Sequence, residues 1–250
     1  MLSASADMLV FAASTVPYGN RLEAVDRSGQ RLRVWEEPNG QNWPRLSGRG
    51  NDLVTFYLGR KDDARALEHA RLAANMDAKR VARDPHNAGA KVDYAVVLSQ
   101  MGVCSKRLGL REDALTYYLQ SLAIRRELWE SDRANVNARD HLMYMLTEIA
   151  NLELSVGKWE GARTHVLEAV RHATALHGKV SSSLPQETLI QGFSHLGRAA
   201  KGLKADPCPF SRKSLALAPA SPDAIENFQY RVAVKLALES ARDGLHSCPQ

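Results

Sequence analysis

One unit of sequence is written twice between Asp84 and Leu176, and this repetition limits the fold more than any single motif does. Asp84-Pro-His-Asn87 recurs as Asp132-Arg-Ala-Asn135, Leu98 as Leu146, Met101 as Ile149 and Gly102 as Ala150. Further on, Gly109 recurs as Gly157, Ala114 as Ala162, Leu119 as Leu167 and Leu122 as Val170, always 48 residues later. A fixed period of this size is the mark of a stacked repeat architecture.

Within each unit the apolar residues step at helical spacing. Tyr94, Leu98 and Met101 lie one turn apart, as do Ala114, Tyr118 and Leu122 beyond Gly109, so each unit predicts two helices with one apolar stripe apiece. Leu108-Gly-Leu110 and Val156-Gly-Lys158 predict the turns, because glycine closes a helix C-terminus in the left-handed conformation. Asn87 and Asn135 are expected N-caps. A hairpin of this kind cannot bury its stripe alone, so neighbouring hairpins must share a core.

These residues resemble the tetratricopeptide (TPR) repeats. Leu98, Met101-Gly102, Gly109, Ala114, Tyr118 and Ser121 match that family's large, large-small, glycine, alanine, aromatic and small positions. Leu146, Ile149-Ala150, Gly157, Ala162, Val166 and Ala169 match them again. Ser105 and Glu153 stand where the family usually has tyrosine. Arg126 and Thr174 stand where a proline often ends the second helix, which predicts a long-helix variant. The resemblance implies a mainly α chain, a TPR-like stack of antiparallel hairpins forming an α-solenoid. Regular repeats are expected at about 84–131 and 132–177, with degenerate flanking repeats and a capping helix at 222–243.

The flanks extend the pattern. Ala66, Ala70 and Ala73 fall one period before Ala114, Tyr118 and Ser121. Phe193, Leu196-Gly197 and Ala200 restart a first helix after a loop at 178–185, and Ser214-Leu-Ala-Leu217 echoes Ser121-Leu-Ala-Ile124 across a hairpin shortened by two residues. On the last helix, Ile225, Phe228, Val232 and Leu236 share the face expected to cover the end of the stack.

Residues 1–60 read differently, as a small N-terminal antiparallel β meander ahead of the helical region 61–250. Leu9 to Ala12, Leu22 to Asp26, Arg31 to Trp35 and Leu53 to Tyr57 are strand candidates, with turn signals at 17–19, 28–29, 38–40 and 48–50. Leu22-x-x-Val25-Asp26-Arg27-x-Gly29 followed by Pro44-Arg45-Leu46-Ser47 resembles one β-propeller blade. A lone blade leaves strand edges open. The order of parts therefore resembles the C-terminal remnant of bacterial signalling proteins in which a propeller precedes helical repeats and a serine/threonine kinase domain stands at the other end. No glycine-rich nucleotide loop, catalytic loop or Asp-Phe-Gly is present, so kinase activity is not implied.

The chemistry-bearing residues form no catalytic constellation. His165, Glu168 and His172 share a helix face, but the histidines are spaced too widely for a chelating pair, and a solvated polar face is expected. Cys104 is expected to be a buried small hydrophobe, and Ser181-Ser-Ser183 pairs with no histidine and acid. Cys104, Cys208 and Cys248 are odd in number and far apart, which suggests neither a disulfide framework nor a zinc site, so a reducing, cytoplasmic setting is expected. Met8 to Ala13 lacks the leader of a signal peptide and the length of a membrane helix. The net charge of +5 permits an acidic partner. Lys79-Arg80, Arg83, Lys106-Arg107, Arg111, Arg125-Arg126 and Arg163 are interspersed with acids and lack an aromatic platform, which argues against nucleic acid.

No cofactor, metal or small-molecule substrate is expected. By the resemblance, the function is that of a non-catalytic scaffold that takes a peptide or partner protein in the concave groove of its first helices. That groove would be lined by Lys91, Ser99, Gln100, Arg139, Thr147, Glu148 and Asn151. The alternative is the regulatory part of a larger kinase-type enzyme.

Overall fold

The computed structural model describes residues 10–13, 21–25, 31–36, 52–179, 183–219, 228–246 and 248. Three short strands come first: β1 (Val10–Ala13), β2 (Arg21–Val25) and β3 (Arg31–Glu36). They pair antiparallel in sequence order, Val10 opposite Val25 and Leu22 opposite Trp35, with a register shift at Ala24/Val25. The turn signals and the 44–47 stretch of the blade resemblance lie outside the described residues.

The fourth strand candidate is a helix. Leu53 to Tyr57 falls within α1 (Asp52–Gly59), where Val54 and Tyr57, one turn apart, are buried in one apolar cluster with Ala66, Leu67 and Ala70. A five-residue apolar run suits a strand or a buried helix equally well by pattern; here a helical partner settles the choice. The remaining helices are α2 (Asp63–Arg83), α3 (Ala88–Arg107), α4 (Arg111–Ser131), α5 (Val136–Ser155), α6 (Trp159–Leu176), α7 (Leu184–Gly202), α8 (Cys208–Ala216) and α9 (Phe228–Leu245). Each packs on the next in sequence, α5 also meets α7, and α7 also meets α9.

Repeated residues build repeated details. The Asn87 side chain accepts from the Ala90 amide at 2.9 Å, and Asn135 from Ala138 at 3.0 Å. Asp84 and Asp132 each accept from the amide two residues on, which closes the same turn before α3 and α5. At the hairpin bends Gly109 and Gly157 have φ of +80° and +75°. The following amide reaches back into the helix, Leu110 to the Ser105 carbonyl at 2.8 Å and Lys158 to Glu153 at 2.9 Å. Lys61, one period before Gly109, and Lys204 take the same left-handed conformation without being glycine. Asp62 and Ala205 make the matching return bonds to Tyr57 and Ala200. Four successive hairpins thus bend in one way, and the Lys61 bend extends the period one unit upstream.

The irregular fourth hairpin keeps the repeat's internal bond. The buried Ser121 hydroxyl donates to the Ala95 carbonyl, 26 residues back, at 2.7 Å. Ser214 donates to Ile190, 24 residues back, at 2.9 Å, so the two missing residues leave the contact between the helices intact. With no proline to stop them, α4 and α6 run on to Ser131 and Leu176. At the two missing tyrosine positions, Ser105 and Glu153 are both buried.

Two expectations at the C-terminal end are corrected. On α9 the buried stripe is Val234, Ala237, Leu238 and Ala241, while Val232 is exposed and Leu236 is 60% exposed. The helix carries two apolar stripes, and the one holding Val234 and Leu238 clusters with Ile190. Ile225 lies outside the described residues. Cys208 and Cys248, 40 residues apart, form a disulfide, because α9 folds back on α8 and brings its end beside α8's first residue. Distance in sequence was no guide to distance in space, and the reducing-compartment expectation loses its premise. Among the described residues no helix is long and apolar enough to cross a membrane.

Candidate functional site

The first helices α3 and α5 carry the seven residues expected to line a groove, Lys91, Ser99 and Gln100 on α3 and Arg139, Thr147, Glu148 and Asn151 on α5. Ser99 and Thr147, one period apart, are buried, and their hydroxyls donate to the carbonyls one turn back, Ala95 at 2.7 Å and Met143 at 2.9 Å. Serine and threonine on a helix commonly satisfy themselves this way. Lys91 reaches Glu127 on α4 at 2.6 Å. Arg139 stacks its guanidinium on Trp129 of α4, 5.0 Å from the ring centroid, and its Nε is enclosed without a hydrogen-bond partner.

The other three act as ties between successive first helices. The Gln100 amide donates to Thr55 Oγ1 of α1 at 3.2 Å, and Lys106 of α3 donates to Glu148 of α5 at 2.8 Å. Arg198 of α7 donates to the exposed Asn151 of α5 at 3.3 Å. The second helices are tied likewise: Arg126 holds Glu168 with two bonds, and Lys158 meets Glu112 at 3.0 Å. The paired bonds keep the Glu168 carboxyl below its ordinary range; burial alone would raise it, and Arg126 outweighs burial.

Several of the basic residues are paired with acids along the half-exposed surface of the stack. Arg80 bridges Asp77 and Asp93, Arg107 meets Asp63 at 3.2 Å, and Arg163 meets Glu160 at 3.5 Å. The Asp63–Arg107 pair lines an open hollow of about 360 Å³ with Leu58, Gly59 and Lys61, where its charges largely cancel.

His165, Glu168 and His172 do not act together and are not a plain solvated face. His165 Nδ1 lies 2.8 Å from the buried Glu153 carboxylate, Glu168 is held by Arg126, and His172 is buried edge-on to Trp129. Among the described residues no three potential metal ligands converge. Cys104 is buried and free, and burial pushes its thiol up to about 11, so it is protonated at neutral pH. Ser181 and Ser182 lie outside the described residues, and Ser183 donates to Glu187 at 2.6 Å.

A cation that the sequence reading left among the surface charges lies in the interior. Arg125 of α4 is 6% exposed. Its Nε donates to Ser121 Oγ and its Nη2 to Ser99 Oγ, both at 3.1 Å, and both hydroxyls in turn donate to the Ala95 carbonyl. No described carboxylate pairs with it. Burial pushes its pKa down to about 10, and His141 on α5 is lowered by its own burial and by the Arg125 charge. The signal in the sequence was a break in the period, since the counterpart of Arg125 is Ala173 and that of Ser121 is Ala169.

No family model and no curated protein sequence matches this chain. Solved structures do. A kinesin light chain-like protein of Podosopora anserina, described as having nearly identical TPR-like repeats, is similar at 14% identity and TM-score 0.53, over 80% of this chain and 86% of that one. BtubC (BKLC) of P. vanneervenii is similar at 18% identity and TM-score 0.51, over 79% of this chain and 76% of that one. Neither likeness supports the propeller-blade resemblance or a kinase-associated setting. At these identities the likeness concerns the fold alone, and the fold is a mainly helical, TPR-like stack of repeats.

Proposed function

We propose that this chain is a non-catalytic interaction scaffold that holds an extended polypeptide against its first helices α3, α5 and α7. The observation that carries the reading is the row of ties Gln100–Thr55, Lys106–Glu148 and Asn151–Arg198, which runs from one first helix to the next. Such ties hold successive first helices in a common frame, and stacked repeats in a fixed frame present one long surface to a partner. Polar side chains along the row can exchange their bonds to one another for bonds to a peptide backbone. Affinity is expected on the order of micromolar, since ordering an extended peptide opposes the contacts it gains.

The test is binding of peptides from a randomised display library, comparing the native chain with a Lys91→Glu, Arg139→Glu double variant whose melting is measured in parallel. Loss of the selected peptides by a folded variant supports the assignment. Equal recovery by both would place the binding surface elsewhere.

A further inference from the structure

We infer that the Cys208–Cys248 bridge is a thiol-operated latch on the C-terminal end of the stack: its reduction by a dithiol releases α9 and uncovers the apolar surface of α7 and α8 beneath it. The inference is independent of the peptide groove on the first helices.

Four observations carry it. First, the bridge is placed to hold α9. It joins the first residue of α8 to a residue beyond the end of α9. The α9 segment is thereby pinned at both ends, at Cys248 and at Leu217, whose carbonyl takes the Gln186 amide of α7 at 2.9 Å. Helices α2 to α6 lie outside the closed loop. Second, α9 has less to hold it than a helix inside the stack. It packs on α7 and α8, whereas α7 packs on α5, α6, α8 and α9. Its buried stripe contains Ala237 and Ala241 beside Val234 and Leu238, and covers Ile190, Leu215 and Leu217. Small side chains bury little area, so a cross-link that restrains the detached segment supplies much of the hold. Third, the two sulfurs are unequal, Cys208 being buried and Cys248 half-buried. An incoming thiolate therefore attacks Cys248 Sγ, and the new S–S bond forms as the Cys208–Cys248 bond breaks. Cys208 leaves as a thiolate at the N-terminus of α8, where the peptide dipoles stabilise negative charge. The second thiolate of the dithiol then attacks the dithiol sulfur bound to Cys248. The dithiol is oxidised to a cyclic disulfide, Cys248 leaves as a thiolate, and both reduced cysteines take up protons from water. Fourth, Cys104 stays out of the exchange, because it is fully buried on α3 and its thiol is pushed up to about 11.

The experiment follows amide hydrogen exchange of the full chain with its bridge closed, after reduction by dithiothreitol, and in Cys248→Ser, with iodoacetamide labelling of thiols run in parallel under native conditions. With the bridge open, α9 amides are expected to exchange about thirtyfold or more faster, as loss of a native cross-link implies. Those of α3 to α6 should keep their rates. In the reduced chain Cys208 and Cys248 should take the label while Cys104 does not. Replacing the reductant by oxidised glutathione should restore the bridge and the protection of α9. If Cys248→Ser does not fold, the reduced native chain decides alone. Equal protection of α9 with the bridge open and closed overturns the inference. So does a bridge that resists dithiothreitol, or that opens only as Cys104 becomes labelled, since opening would then require the whole stack to unfold.

Discussion

Gly102 decides how closely α3 can approach α4. A Cβ built there would stand 2.3 Å from Tyr118 Cδ1 and Cε1, against about 3.5 to 4.0 Å for carbon atoms in contact. The ring or the helix would have to retreat by more than about 1 Å. Tyr118 has no room to do so: it is fully enclosed in the cluster with Leu122, Leu142 and Met145, and its hydroxyl has no partner to hold it elsewhere. Overpacking of this kind costs about 1 to 3 kcal/mol. Replacing a helix-interior glycine returns about 0.5 to 1 kcal/mol of backbone entropy. Gly102→Ala is therefore expected to destabilise the chain by about 1 kcal/mol or more net.

The second copy of the repeat supplies the control. Where the first has Gly102 and Tyr118, the second has Ala150 and Val166, which share one apolar cluster. One period upstream the pair is Val54 and Ala70, again within one cluster. A larger residue on the first helix goes with a smaller one on the second, as interiors of fixed packing density require. Tyr118→Val alone leaves a cavity and should cost about 1 to 3 kcal/mol. The Gly102→Ala, Tyr118→Val double variant should cost less than the two singles together, by about 1 kcal/mol or more. Urea denaturation of the four proteins, followed by circular dichroism, measures the cycle. A Gly102→Ala variant as stable as the native chain, or strict additivity, would refute the argument.

Three further outcomes are expected. A chain beginning at residue 61 lacks Val54 and Tyr57, so it should be less stable than one beginning at 52 by about 2 to 4 kcal/mol; equal urea midpoints would mean that α1 does not pack on α2. Opening the Cys208–Cys248 bridge by Cys248→Ser frees a loop spanning 40 residues, which chain entropy values at about 4 kcal/mol; calorimetry should show a lower melting temperature, and an unchanged one would sink the bridge as a staple for α9. The Glu168 carboxyl is depressed in the folded chain, so the advantage of the native chain over Arg126→Met should be present above the unfolded carboxylate pKa of about 4.3 and lost as pH falls through the depressed value. Its size should be no more than about 1 kcal/mol because Arg126 is partly exposed, and melting curves against pH that stay parallel would contradict it.

What was legible in the sequence is what local chemistry determines on its own. Asn87 and Asn135 cap their helices whatever lies beyond them, and Gly109 and Gly157 turn left-handed because glycine takes that conformation without Cβ strain. What was not legible depended on a partner outside the window. Leu53 to Tyr57 is helical because α2 offers Ala66 and Ala70 to bury against. α9 could have turned either apolar stripe inward, and the cluster around Ile190 selects the one with Val234 and Leu238. Cys208 and Cys248 meet only after α9 folds back. Arg125 is the opposite case, legible in principle and passed over, because a basic residue on a helix reads as solvated until its place in the period is compared with its copies. At that place Ala173 shows that the stack can close without a charge, and Asp77, one period earlier, carries one that Arg80 compensates. A period therefore does more than predict a fold: it states what stacking requires at each position, and a residue that exceeds the requirement, as Arg125 does, must find its bonds among its own neighbours, here the Ser99 and Ser121 hydroxyls.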